Sequence, residues 1–149
     1  MTGTDRRQEG AIRSRLGERG IRYTAARRAV VEALQRGNGP QSVAELTDSL
    51  QRKVPLSSLY RTVSVLEGAE ILTPHHGATG VTRYELAEWL SGHHHHLVCR
   101  DCGAIEDVQL ETARERRLDD LVSEVAGESG FVARAHSLEI EGICRECSS

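Results

Sequence analysis

The chain has 149 residues, 38% of them hydrophobic, and a net charge of −3, which suits one large domain or two small ones. No apolar run approaches the ~20 residues of a membrane span, and the opening MTGTDRRQEG has no hydrophobic stretch of the signal-peptide kind, so the expectation is a cytoplasmic protein with no membrane partner. Aromatic residues are only 3%, too few for a platform that stacks single-stranded nucleic acid.

The charge is unevenly spread. Residues 1–84 carry 13 basic and 8 acidic side chains, whereas 85–149 carry 6 and 14. A basic first half suits a polyanion, and an acidic second half suits cations or solubility. All four cysteines fall in the acidic half.

In chain order, Ile12 and Leu16 give a faint helical signal between Arg6 and Arg19. A firmer helix follows Thr24, a candidate N-cap, through AARRAVVEALQR to Gly37. SVAELTDSL opens with Ser42 and places Glu45 three residues on, the capping-box pattern. After Pro55, SSLYRTVSVLEGAE reads as a third helix with Leu59, Val63 and Leu66 toward the core. ILTPHHGATGVTRYEL reads as a hairpin of two short apolar runs about a Gly-rich turn. Grouped helices followed by a hairpin are the parts of a winged helix-turn-helix, whose second helix of the pair lies in a DNA major groove. AEWLSG reads as a joint. Strand-like HHHLVC and AIEDVQL follow, then a helix striped by Leu118, Leu121, Val122 and Val125, then the extended GFVARAHSLEIEGIC. The expectation is an α+β chain with a winged-helix domain over 1–86, a hinge over 87–92 and a metal-binding α/β domain over 93–149.

Two short thiolate pairs, Cys99-x-x-Cys102 and Cys144-x-x-Cys147, stand 41 residues apart. Each can bite one Zn²⁺, and four thiolates close a tetrahedral structural site with no open position for water or substrate. A redox dithiol and unliganded buried thiols are the alternatives. The tract His93–His96 runs straight into this motif. If it opens an extended strand, successive side chains face opposite ways, with His93 and His95 on one side and His94 and His96 on the other. One tract can then serve two metal sites, against the plainer reading of a solvated loop. Further ligand-type residues lie at His75, His76, Glu85, Asp119, Asp120 and His136. Imidazole with carboxylate suits Zn, Fe, Ni or Mn.

With these residues in place, the chain resembles the ferric uptake regulator superfamily of metal-sensing bacterial repressors. PLSSLYRTVSVLEGAEIL resembles its recognition-helix signature, YELAEWLSGHHHHLVCRDCG its hinge, histidine strand and first cysteine pair, and AHSLEIEGICREC its closing strand. The resemblance implies a homodimer on double-stranded DNA at an A/T-rich palindromic operator, with a C-terminal dimerisation domain. It puts structural zinc on Cys99, Cys102, Cys144 and Cys147, and a regulatory hinge site on Glu85, His94 and His96. It puts a second site in the dimerisation domain on His93, His95 and His136 with Asp119 as carboxylate, where most relatives have Glu. The histidine that the family often places before its second helix is absent, Gln41 standing nearby, so His75 or His76 is expected to complete the hinge set. AIEDVQLETARERRLDD also runs several residues longer than usual, which can shift the alignment around Asp119. On DNA, Tyr60 is expected to pack on thymine methyl groups and Arg61 to hold phosphate, with Ser58 and Thr62 as further phosphate contacts. Arg19 resembles a basic residue that enters an A·T-rich minor groove, and Trp89 packs in the hinge. An unbroken histidine tract favours a zinc sensor. The lack of a spare cysteine at the hinge keeps Fe²⁺, Mn²⁺ or Ni²⁺ sensing, and peroxide sensing, in view. A zinc hydrolase would need three ligands beside a general base, and neither HExxH nor a nucleophile motif occurs. A bare metal buffer would not need the basic first half.

Overall fold

The structure is a computed structural model that describes residues 3–77 and 79–149, so Ala78 of the Gly-rich turn lies outside it. The chain divides into two compact units, the first ending at Gly92 and the second spanning His93–Ser149. Among the described residues no helix is long and apolar enough to cross a membrane.

The first unit is a helical group with a hairpin. Helix α1 (Gly3–Glu18) buries Ile12 and Leu16 completely, so its faint sequence signal marks a true core face. Helix α2 (Ala25–Arg36) starts at Thr24, whose hydroxyl accepts from the Arg27 N–H, and it buries Val30, Val31, Ala33 and Leu34. A two-residue strand, β1 (Gln41–Ser42), leads into α3 (Val43–Ser49). There the Ser42 hydroxyl accepts from the Glu45 N–H at 3.1 Å, and the Glu45 carboxylate accepts from the Ser42 N–H at 2.7 Å. Gln51 and Arg52 both take left-handed backbone angles, with φ of 51° and 57°, turning the chain into α4 (Leu56–Gly68). Leu59, Val63 and Leu66 of α4 enter the core as their spacing requires, joined by Thr62.

The hairpin strands β2 (Leu72–His76) and β3 (Thr82–Leu86) pair antiparallel in the register Leu72↔Leu86 and His75↔Arg83. β1 pairs on the other side of β3, giving the order β1-β3-β2. The unit closes with a single helical turn, α5 (Glu88–Ser91), where the sequence suggested only a joint. Leu90 of this turn is buried in the core, and its carbonyl accepts from Gln8 at 2.6 Å. Trp89 donates its indole N–H to the Glu70 carbonyl at 2.8 Å while the Arg15 guanidinium lies over its ring at 5.0 Å. Gly92 ends α5 at φ 81°, an angle that favours glycine.

In the second unit, β4 (His95–Cys99) is the central strand of a sheet ordered β5-β4-β6. β5 (Ile105–Val108) runs antiparallel to it with His96 opposite Asp107, and β6 (Glu139–Gly142) runs parallel with Leu97 opposite Ile140. Between them comes α6 (Thr112–Glu128), which has no fully buried residue. Leu118 and Val122 are half covered, but Leu121 and Val125 are exposed, as are Phe131, Val132, Ile140 and Ile143. Of the long extended stretch expected over GFVARAHSLEIEGIC, only Glu139–Gly142 is strand.

Candidate metal centres and the DNA-reading helix

The cysteine cluster is built by two turns of the second unit. β4 delivers Cys99, and the chain then reverses, with Gly103 N–H donating to the Cys99 carbonyl at 2.9 Å and Gly103 itself at φ 72°. Cys144 follows β6, which holds it beside the first pair. Its N–H donates to the Cys99 sulfur at 3.3 Å, and its own sulfur lies 3.8 Å from that of Cys102. Backbone N–H donors of Cys102 and Cys144 pull the Cys99 thiol down to about 6. Hydrogen bonds with the sulfurs of Cys144 and Cys102 push the Cys147 thiol up to about 12. Such crowding of thiols that share protons favours a cation in their place, since a metal binds the thiolate form. Tetrahedral zinc with Zn–S bonds of ~2.3 Å spaces its sulfurs about 3.8 Å apart, which the donor set fits.

A second cluster joins His93, His95, Glu115 and His136, whose ligand atoms all lie within 4.8 Å of one another. His95, only 1% exposed, points Nε2 at the Glu115 carboxylate at 3.0 Å. His136 Nε2 lies 3.0 Å from Glu115 and 3.3 Å from His93 Nε2. The His95 imidazole beside it holds the Glu115 carboxyl below its usual range, helped by His136. Ligand atoms about 3.3 Å apart are the edge of a tetrahedron about a metal–nitrogen bond of ~2.0 Å. Asp119, which the sequence assigned here, lies instead on the far side of the ring, 3.3 Å from His136 Nδ1. Glu115 and Asp119 are one turn apart on α6; both turns meet His136, but it is the earlier one that also meets His95 of β4. Sequence reasoning missed Glu115, although its place in the first turn of a helix following the histidine strand was a usable signal.

The remaining histidines form a third group. His94 and His96 have ring centroids 5.0 Å apart, and their Nε2 atoms lie 3.8 and 3.5 Å from the Asp107 carboxylate. Asp107 was also missed. It is the residue of β5 paired with His96, and directly opposed residues share a sheet face. In the first unit Glu85 accepts from His75 Nε2 at 2.6 Å, which places these two expected hinge residues together. His76 turns to the Thr82 hydroxyl at 3.2 Å and is exposed.

Helix α4 presents Leu56, Ser57, Tyr60, Arg61 and Ser64 to solvent. Thr62, expected to touch phosphate, is only 6% exposed and faces the core, and Ser58 is half buried. The correction follows from phase: position 62 shares the face of Leu59 and Leu66. Arg19 is held by the Glu70 carboxylate at 3.1 Å, together with Arg15 at 2.6 Å.

Donor sets gathered from protein ligands in the second unit, and a helix in the first unit that offers a tyrosine and an arginine outward, are the parts that a metal-dependent transcriptional regulator needs. Comparison with known proteins agrees and narrows the class. The model of the ferric uptake regulator family matches residues 18–141, and the chain belongs to that family. The ferric uptake regulation protein of Bacillus subtilis is 28% identical over 142 residues, 92% of each chain. The zinc uptake regulation protein of Mycobacterium tuberculosis is 32% identical over 134 residues, 87% of this chain and 97% of that one. The crystal structure of the Vibrio cholerae ferric uptake regulator superposes with a TM-score of 0.66 at 29% identity, covering 89% of this chain and 98% of that one. The chain is thus a transcriptional regulator and not an enzyme, with an N-terminal DNA-binding domain and a C-terminal dimerisation domain, of a family that binds metals and DNA and dimerises.

Proposed function

We propose that the chain is a zinc-responsive repressor of metal-homeostasis genes that binds an A/T-rich palindromic operator as a homodimer. The observation that carries the reading is the donor spacing: three imidazoles and one carboxylate at 3.0 to 3.3 Å, beside a four-cysteine set with sulfurs at 3.8 Å, suit tetrahedral zinc. The unbroken histidine tract and the likeness to the zinc uptake regulation protein of M. tuberculosis support it. In this reading Cys99, Cys102, Cys144 and Cys147 hold permanent zinc. His93, His95, Glu115 and His136 form a second site, and His94, His96 and Asp107 with Glu85 form the regulatory one, His75 orienting Glu85.

A bound divalent cation would supply a cross-link among the ligands it gathers. Glu85 lies on β3 in the first unit while His94, His96 and Asp107 belong to the second, so sharing one ligand set would restrict the joint at Gly92. A ligand shifts a conformational equilibrium only by its differential affinity, and a joint held open cannot offer every donor. Tyr60 and Arg61 of two subunits would then be spaced for successive major-groove half-sites.

Iron or manganese sensing is the second reading, favoured by the carboxylates Asp107 and Glu115 and by relatives that are ferric uptake regulators. A mobility-shift titration on promoter DNA with Zn²⁺, Fe²⁺, Mn²⁺, Ni²⁺ and chelator decides between them. Retardation at the lowest free concentration of Zn²⁺ is expected, and retardation by Fe²⁺ or Mn²⁺ with none by Zn²⁺ sinks the zinc reading.

A further inference from the structure

We infer that Leu56 reads DNA alongside Tyr60, the two side chains contacting thymine methyl groups nearly two base steps apart on one strand of each half-site. The inference rests on the regulatory, DNA-binding reading and deepens it. Leu56 is the first residue of α4 and is 54% exposed, and Tyr60 one turn later is 58% exposed. Only four large apolar side chains are exposed among the described residues of the first unit, Leu56, Tyr60, Val81 and Trp89. Trp89 is already engaged by Glu70 and Arg15. Half of these exposed groups therefore stand together on one helix, and nothing in the unit covers them.

Helical geometry orders the exposed face of α4. At ~100° per residue, Leu56 and Tyr60 occupy one margin about 40° apart, Ser64 and Ser57 lie across the middle, and Arg61 forms the other margin. One edge is apolar and the opposite edge is cationic. The surrounding charge identifies the occupant. Among the described residues of the first unit Arg52, Lys53 and Arg61, on α4 or in the few residues before it, have no ion pair, and neither have Arg6, Arg7, Arg22 and Arg27, whereas Arg13, Arg15, Arg19, Arg28, Arg36 and Arg83 are paired with carboxylates. Exposed apolar carbon framed by unneutralised cations suits a polyanion that also offers methyl groups, and thymine in a major groove is such a surface. The N-terminal residues of a recognition helix are the ones that reach base edges. Four residues of helix rise cover about 6 Å, against ~3.4 Å per base along a strand, which gives the spacing of nearly two steps.

The test begins with a duplex selected from a random pool by the zinc-loaded full-length chain. Each thymine is then replaced singly by deoxyuridine, which removes one methyl group and leaves every hydrogen-bonding atom. The wild-type chain should lose about fourfold in affinity per sensitive methyl, at two positions in each half-site. Leu56→Ala should bind the thymine duplex more weakly and become insensitive to deoxyuridine at one of these positions, Tyr60→Ala at the other, and Leu56→Met should keep the sensitivity. Equal responses of wild type and Leu56→Ala at every position overturn the inference while leaving DNA binding intact. A pool from which no duplex is retained, with or without metal, overturns the regulatory reading and this inference with it.

Discussion

Asp119 shows how near a sequence can come to a cluster of ligand-type groups and still pick the neighbour of the carboxylate that joins it. Glu115 and Asp119 differ by one helical turn, and both are acidic, so spacing alone cannot choose between them. The choice is made by where α6 meets the histidines, which only packing reveals. The result gives the two carboxylates different work. Glu115 meets Nε2 of His95 and His136, while Asp119 meets Nδ1 of His136 and can hold the tautomer that leaves Nε2 free for a cation. Calorimetric titration with Zn²⁺ should therefore lose the second site in Glu115→Ala, whereas Asp119→Asn should keep it with affinity reduced by roughly 10–100-fold. Equal loss in both variants would return Asp119 to the ligand set. The division of four histidines into two groups was legible beforehand, because alternation along an extended backbone is independent of what surrounds it. Asp107 was not, because its role depends on the register between two strands.

Among the elements, those with a local signal were legible and those made by tertiary context were not. Thr24, Ser42 and Glu45 announce their helices by capping chemistry, and α2 and α3 start where these residues put them, while α4 starts directly after Pro55. The strand β1 has two residues and exists only because β3 lies beside it, and α5 is one turn held by Leu90, Trp89 and Gln8. Neither leaves a period to find. The α3 cap also carries a testable charge. Burial raises the Glu45 carboxyl, but the Ser42 N–H and hydroxyl and the Arg83 guanidinium outweigh it and hold it below the usual range. A depressed folded pKa adds stability that is full above the unfolded value of ~4.3 and is lost as pH falls through the folded one. Urea midpoints of the wild type should thus fall between about pH 5 and pH 3 more steeply than those of Glu45→Gln. Glu45→Ala should cost about 1–2 kcal/mol at neutral pH, since Arg83, buried and bonded to Glu45 at 3.2 Å, would lose its carboxylate.

For the molecule as a whole, the two units stand on different foundations. The first has a continuous core from Ile12 to Leu90. The second spans His93–Ser149 and buries only Val98, Cys99, His95 and Ile105 among its larger side chains. A core that small needs metal or a partner. Removing bound metal with a strong chelator should abolish the thermal transition of the second unit and leave that of the first, as followed by circular dichroism, and Cys144→Ser should do the same. The exposed apolar residues Leu121 and Val125 of α6 and Ile140 of β6 are the surface on which we expect a second copy to rest. Leu121→Glu with Val125→Glu should sediment as a monomer while the first unit stays folded; an unchanged dimer would place the contact elsewhere. The central position of β4 has one more effect, on the order of events at the ribosome. The histidines and the first cysteine pair emerge well before β6 and Cys144, yet they are framed on one side by β6 and closed by the second pair. A nascent chain halted before those last residues holds half a clamp and an unsupported strand, so the four-cysteine set is complete only when translation is nearly finished.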